Sequence, residues 1–200
     1  VKKQITDLKK RTLFFESIFY VVAKENCPFN AEYLFDLLFP MSMAERDFFW
    51  SIAISSYTKM FYEEINSVSR MFNYVKNNEI YLSDDVLFLY SIAFTWLFSL
   101  SNKKIRDVAT KCLIKLLTNN TNVLFDVLRK FKGVNDPYIY ERLFAVCYGG
   151  LSRSEVIHNG KEIGEYIFND IFNQKEVYPN ILLRDYAKQS IQILLNRNID

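Results

Sequence analysis

The residues able to do chemistry are few and scattered. His158 is the only histidine among 200 residues and sits in VIHNGK beside an Asn-Gly turn signal. A histidine-dependent nucleophile needs a hydroxyl or thiol and an orienting acid around the ring, and the local sequence supplies no such set. Cys27, Cys112 and Cys147 are odd in number, far apart and without a C-x-x-C pair. That spacing argues against a zinc site or a disulfide framework. Cys112 and Cys147, among apolar neighbours, read as core thiols of a reducing, cytoplasmic compartment. Gly160-Lys161 lacks the upstream glycine and the following Ser or Thr of a phosphate loop. Glu63-Glu64 and Asp84-Asp85 are adjacent pairs, so on a helix their side chains diverge by about 100°. The first pair reads as solvated charge and the second as a helix start. The expectation is a segment that is not an enzyme, with no catalytic, cofactor-binding or metal-ligating residue.

Charge offers one binding signal. The net charge is only +2, yet residues 101–132 carry eight basic and two acidic side chains, against two basic and seven acidic in 25–64. Lys104, Lys111 and Lys115 are seven and four residues apart and share one helix face. Such a ridge can follow a phosphate backbone or simply face solvent, although it lacks the interleaved aromatic rings that stack bases. Nucleic-acid backbone binding is therefore the alternative function, and a protein partner, or other domains of the same parent chain, the first.

Spacing rather than chemistry organises the chain. R-x-x-A occurs at Arg106/Ala109, Arg142/Ala145 and Arg184/Ala187, separated by 36 and 42 residues. IRDVATKCLIKLL (105–117) also aligns with LRDYAKQSIQILL (183–195), and Pro137 and Pro179 each precede their arginine by five residues. A period near 40 predicts tandem helix pairs, a HEAT/armadillo-like α-solenoid of antiparallel helices. The small alanine lets a neighbouring helix approach, and the later leucines fill the contact. Asp136 before Pro137 has the chemistry of a helix start. The three arginines are expected to form a ladder along the stack. Its rungs would be Asp107, Asp136 and Asp185 or helix C-terminal carbonyls, with solvated charge as the other reading of Asp107 and Asp185.

Half of the residues are hydrophobic and 16% aromatic, with five glycines and four prolines. That composition suits dense helices with short connections and excludes disorder. The elements expected are an amphipathic helix over 2–24, AEYLFDLLF stopping at Pro40, and a helix opened by the capping box Ser42-x-x-Glu45. Others are expected at 61–79, 86–100, 103–118, 122–132 ending at Gly133, 137–148 ending at Gly149-Gly150, 152–172, and from Pro179 onward. Trp96, inside VLFLYSIAFTWLFSL (86–100), is expected to be deeply buried; that run is too short to span a bilayer. The whole, 1–200, reads as one all-α repeat segment, less regular over 1–82 and clearer over 83–200. It looks like a piece of a larger multidomain protein.

Four blocks carry a resemblance: MAERDFFWSIAI (43–54), IAFTWLFSLSNKKIRDVATKCLIKLL (92–117), VNDPYIYERLFAVCYG (134–149) and LLRDYAKQS (182–190). Their order and spacing resemble the helical-repeat region of large bacterial STAND-like P-loop ATP-binding proteins, a class that includes antiviral defence NTPases. The resemblance implies a sensor or scaffold role beside an upstream NTPase. It transfers no ATP-binding residue to this segment.

Overall fold

The computed structural model describes residues 7–59, 66–79 and 81–197. Among them every regular element is a helix. Two compact units divide the chain, Val1–Cys112 and Leu113–Asp200, the boundary falling inside one helix.

Unit 1 holds α1 (Leu8–Val21), α2 (Ala31–Leu38) and α3 (Met43–Arg46), which passes through a π-helical turn (Asp47–Ser51) into α4 (Ile52–Lys59). α5 (Ser67–Asn77), α6 (Asp84–Trp96), a 3-10 turn (Leu97–Ser99) and the first part of α7 (Lys103–Leu117) follow. Side-chain oxygens start these helices by accepting orphan amides. Asn30 takes the Glu32 amide at 3.0 Å, and Ser42 with Glu45 closes a reciprocal capping box. α1 packs on α4 and α5, and α2 on α6. The interior between them is aromatic. Phe15 meets Trp50 edge-on at 5.0 Å and Phe19 stacks on Trp50 at 5.8 Å. Trp50 and Trp96 are fully buried, and Trp50 Nε1 donates to Ser99 Oγ at 2.9 Å.

Two arginines are buried with these rings. Arg46 lies 5.3 Å from the Trp96 ring centroid and points Nη1 at the Leu38 and Met41 carbonyls, 3.5 and 3.4 Å away, beyond the end of α2. Arg11 covers the Phe48 ring at 4.5 Å and donates to the Phe48 carbonyl. A guanidinium cannot shed its proton, so carbonyl dipoles and ring faces replace the water it lost. The π-helical turn supplies part of this arrangement. Its extra residue per turn carries Phe48 to the surface while Phe49 and Trp50 point inward.

Unit 2 contains the rest of α7, α8 (Thr121–Lys130), α9 (Pro137–Arg153), α10 (Gly160–Ile167) with a π-helical turn (Phe168–Phe172), and α11 (Ile181–Asn196). α9 packs along α11, α8 on α9, and α10 on α11. The turn after α7 and the turn after α9 are sewn together. Ser154 Oγ accepts the Asn119 amide at 3.1 Å and Asn119 Oδ1 accepts the Glu155 amide at 2.7 Å. Thr121 Oγ1 accepts the His158 amide at 2.7 Å and donates to the His158 carbonyl at 3.0 Å. Asn159 Nδ2 then donates to Asn122 Oδ1 at 2.9 Å. Asn119 and Asn159 reach these positions in left-handed conformations, φ 67° and 53°, which asparagine tolerates better than most residues.

A polar network crosses the other end of α9. Tyr140 Oη donates to Asp170 Oδ2 at 2.6 Å and lies 3.0 Å from Tyr166 Oη; Lys132 Nζ pairs with Asp170 Oδ1 at 2.9 Å. Burial pushes Tyr140 far above the ordinary phenol range and Tyr166 up to about 12. Both phenols are therefore donors, and the network holds the π-helical turn to α9.

Several boundaries differ from the sequence expectation. Gly149-Gly150 do not end α9, which continues to Arg153. Both glycines are buried, and a Cβ on Gly149 would lie 2.6 Å from Ile114 Cδ1. Close approach, not helix termination, explains Gly149. The segment 152–172 is not one helix: it breaks at Ser154, and the next helix starts only at Gly160. Pro179 is not the first residue of α11. Asn180 caps that helix, accepting the Leu183 amide at 3.0 Å. Pro137, in contrast, is the first residue of α9. Gly133, at φ 77°, sits in the turn between α8 and α9, where a left-handed residue suits glycine. Ile5, Ile65 and Glu63-Glu64 lie outside the described residues.

Candidate functional site

The three lysines singled out from spacing, Lys104, Lys111 and Lys115, are all exposed on α7. The repeat positions divide by side-chain type. Ala109 and Ala187 are fully buried, whereas Ala145 is half-buried. Arg106, Arg142 and Arg184 are half-buried, on α7, α9 and α11. Arg106 Nη1 donates to the Leu100 and Ser101 carbonyls at 2.6 and 2.7 Å, just past the 3-10 turn. Arg142 Nε donates to Tyr138 Oη at 3.0 Å, with its guanidinium 5.3 Å from that ring's centroid. Asp136 is buried and caps α9, accepting the Tyr138 amide at 3.1 Å beside Pro137. Asp185 is exposed.

Exposed His158 takes part in the loop seam through its backbone. All three cysteines are free thiols. Burial pushes Cys147 up to about 12, the opposite of an activated thiolate. Among the described residues no group of three or more His, Cys, Asp or Glu is placed to hold a metal ion. No helix among them is long and apolar enough to cross a membrane.

Two hollows lie within unit 1. One hollow of about 590 Å³ is bordered by Asp47, Ser51, Ser55, Ser99 and Ser101. Several of its hydroxyls already serve the fold: Ser51 Oγ donates to Asp47 at 3.1 Å, and Ser99 Oγ bridges Trp50 Nε1 and the Trp96 carbonyl. The second is a groove of about 580 Å³ between the C-terminal end of α1, α5 and the start of α6. Its distinctive lining is Phe19, Tyr20, Lys24, Arg70, Tyr74 and Tyr90.

Two carboxylates fix the groove's walls. Glu16 of α1 accepts from the Ser67 amide at 3.1 Å and from Ser67 Oγ at 2.7 Å, at the first residue of α5. An acid at a helix N-terminus also answers the helix dipole. Glu25 accepts from Ser83 Oγ at 3.0 Å, and Ser83 in turn caps α6. Tyr74 and Tyr90 stack across the groove at 6.2 Å. Burial, then the neighbouring Tyr74, raises the Tyr90 phenol, so it stays neutral.

No family model, curated protein or solved structure matches the chain. Function therefore rests on the groove and the helix arrangement themselves. The groove offers ring faces, a protonated phenol, two cations and the Ser67 hydroxyl, which donates to the Glu16 carboxylate at 2.7 Å. Sequence reasoning passed over Lys24, Arg70 and the three tyrosines because they come from three elements whose meeting no local pattern encodes. The Glu16–Ser67 and Glu25–Ser83 ties span 51 and 58 residues.

Proposed function

We propose that this chain is a non-catalytic helical-repeat module that binds a protein partner. The observation that carries the reading is an agreement between a sequence interval and the spacing of contacts within unit 2. The R-x-x-A copies are 36 and 42 residues apart in sequence. The loop seam joins residues 35–37 apart, Asn119 to Ser154 and Thr121 to His158. Between α9 and α11 the contacts recur at similar intervals: Asn180 Nδ2 donates to Glu141 at 2.7 Å, and the Tyr148 and Tyr186 rings lie 6.2 Å apart. A stack of repeated helix pairs puts each residue beside its counterpart one unit on. A HEAT/armadillo-like solenoid fits these intervals, and such stacks serve as binding surfaces. An experimental structure tests the architecture. Helix pairs α7–α8 and α9–α10 that do not superpose by one repeated rotation and translation would remove it.

The larger setting we propose, a sensor or scaffold segment of a bacterial STAND-like NTPase in antiviral defence, is supported by the four sequence blocks alone. The parent reading frame tests it. A G-x-x-x-x-G-K-[ST] motif upstream supports that setting, and a frame without one ends it.

Nucleic-acid backbone binding is the second reading, favoured by the shared exposure of Lys104, Lys111 and Lys115. Phosphate contacts are strongest at low salt. DNA and RNA binding that is undetectable at about 50 mM salt eliminates it.

A further inference from the structure

We propose that Asn159 is a deamidation site whose side chain is converted only when the seam between the turn after α7 and the turn after α9 opens. Asn159-Gly160 is the one Asn-Gly pair in the sequence. The chemistry needs no reactant beyond water. The Gly160 amide nitrogen attacks Asn159 Cγ and closes a five-membered cyclic imide. The Cγ–Nδ2 bond breaks, and Nδ2 leaves as ammonia with the proton that the Gly160 nitrogen gave up. Water then opens the ring at Cγ, giving isoaspartate or aspartate according to whether it adds at the main-chain carbonyl or at the side-chain one. Glycine favours ring closure because no Cβ shields its nitrogen. Asn159 is exposed, so water reaches it. Gly160 is the first residue of α10, and the amides of a first helical turn have no intrahelical acceptor. Its nitrogen is therefore not spent in the helix ladder.

The closed seam withholds this reaction. Ring closure requires the Gly160 nitrogen to eclipse the Asn159 Cβ about the Cα–C bond. Asn159 instead holds φ 53° and ψ 32°, which turns that nitrogen to the far side of Cβ. Contacts on both sides fix the rotation. Asn159 Nδ2 donates to Asn122 Oδ1 at 2.9 Å, and the Asn159 carbonyl accepts the Ile163 amide at 2.9 Å. One residue earlier, Thr121 clamps His158 through its amide at 2.7 Å and its carbonyl at 3.0 Å. Turning ψ to the reactive angle swings the Asn159 carbonyl away from Ile163 and frees the side chain from Asn122. Conversion therefore records an opening, and the product decides whether the seam recloses. Aspartate is an acceptor only, and the exposed Asn122 can turn its amide to donate in return. Isoaspartate lengthens the main chain by one carbon at a left-handed residue, so the step from the seam into α10 no longer fits. A transient opening becomes a permanent change in the contact between successive turns.

Mass spectrometry of the tryptic peptide spanning 154–161 tests this. Exchange of the amide for an acid shifts its mass, and fragmentation separates aspartate from isoaspartate. The full chain is incubated in mildly alkaline buffer, once folded and once unfolded in guanidinium chloride. The folded chain is expected to convert Asn159 at least about tenfold more slowly, since only its open fraction reacts. Thr121→Val and Asn122→Ala should each raise the folded-state rate several-fold toward the unfolded value. Asn122 is exposed, so its replacement leaves the packed interior intact and serves if Thr121→Val fails to fold. Chains carrying isoaspartate should exchange the amides of residues 121–131 faster than unconverted chains. Equal rates in the folded and unfolded chains would overturn the gate. Rates in both variants equal to wild type would overturn it too, placing the protection outside the seam. An unfolded chain in which Asn119 or Asn173 converts as fast as Asn159 would overturn the Asn-Gly pair as the site.

Discussion

Within unit 1 many rings, Phe15 to Phe98, pack among the aliphatic side chains of the interior, and two charges are buried against rings: Arg46 on Trp96, Arg11 on Phe48. Within unit 2 aliphatic side chains dominate the centre, and the polar groups are arranged as a seam between successive turns. The two solve one problem differently. A large ring gives each residue many contacts and lets elements meet at irregular angles, with π-helical and 3-10 turns absorbing the mismatch. Small residues and repeated turn hydrogen bonds instead demand similar units at similar intervals. Irregular packing leaves hollows, and both large hollows described above lie in unit 1.

The sharpest way to break that comparison is to remove a ring from unit 1. Trp96 is fully buried and touches both Phe35, at 6.0 Å, and the Arg46 guanidinium. Trp96→Ala should cost about 3–5 kcal/mol, a large share of a domain's whole stability. Urea unfolding followed by the fluorescence of the remaining Trp50, also in unit 1, measures it. A midpoint unchanged from wild type would mean that the rings are not what holds unit 1.

Alkali should act next most strongly, and in unit 2. Cys147 is fully buried and raised from 9.0 to about 12 by that burial, with Ser190 partly opposing the shift. A folded-state value above the unfolded one gives stability that is fully present below about 9 and lost as pH climbs through about 12. The loss is up to about 1.4 kcal/mol per pH unit in that window. Tyr140 and Tyr166, raised by burial too, add to it above pH 10. Cys147→Ala should flatten the fall of urea midpoints between pH 9 and 11; an identical fall in wild type and variant would show that the thiol is not desolvated.

The seam comes third. Thr121→Val keeps the shape of a fully buried side chain but strands the His158 amide. A cost of about 1–3 kcal/mol is expected, read by hydrogen exchange at amides of residues 121–131. Protection equal to wild type would reduce the seam to incidental contacts.

How much of this was legible depended on distance along the chain. Helix starts were open to reading: Ser42 with Glu45, and Asp136, act within three residues of themselves. So was the burial of Trp96. The glycine pair misled because a glycine that ends a helix and one that admits Ile114 look identical until the neighbour is known. Pro179 misled because five residues before an arginine is not a fixed place in a helix: Pro137 begins α9, while Asn180 caps α11. The π-helical turns at 47–51 and 168–172 carry no compositional mark. The groove was the least visible of all, since Lys24, Arg70 and Tyr90 belong to separate segments brought together by long-range contacts, the carboxylate ties among them.

The smallest expected effect separates a helix cap from a rung of charge. Asp136 accepts the Tyr138 amide at 3.1 Å at the start of α9, and Arg142 lies further along the same helix. If the carboxylate acts as a cap, what matters is an oxygen acceptor, and asparagine supplies one about as well. Asp136→Asn should then lose only a few tenths of a kcal/mol, and Asp136→Ala about 1 kcal/mol. If the carboxylate instead serves as a rung for an arginine, its charge is the active property. Asparagine would then be as damaging as alanine, and the wild-type advantage would shrink in 1 M salt as the ions screen it. Thermal melts of the three proteins at low and high salt decide between them. Equal losses for both variants, relieved by salt, would make Asp136 a rung for an arginine. Separate losses, indifferent to salt, would leave Asp136 and Pro137 as a helix start.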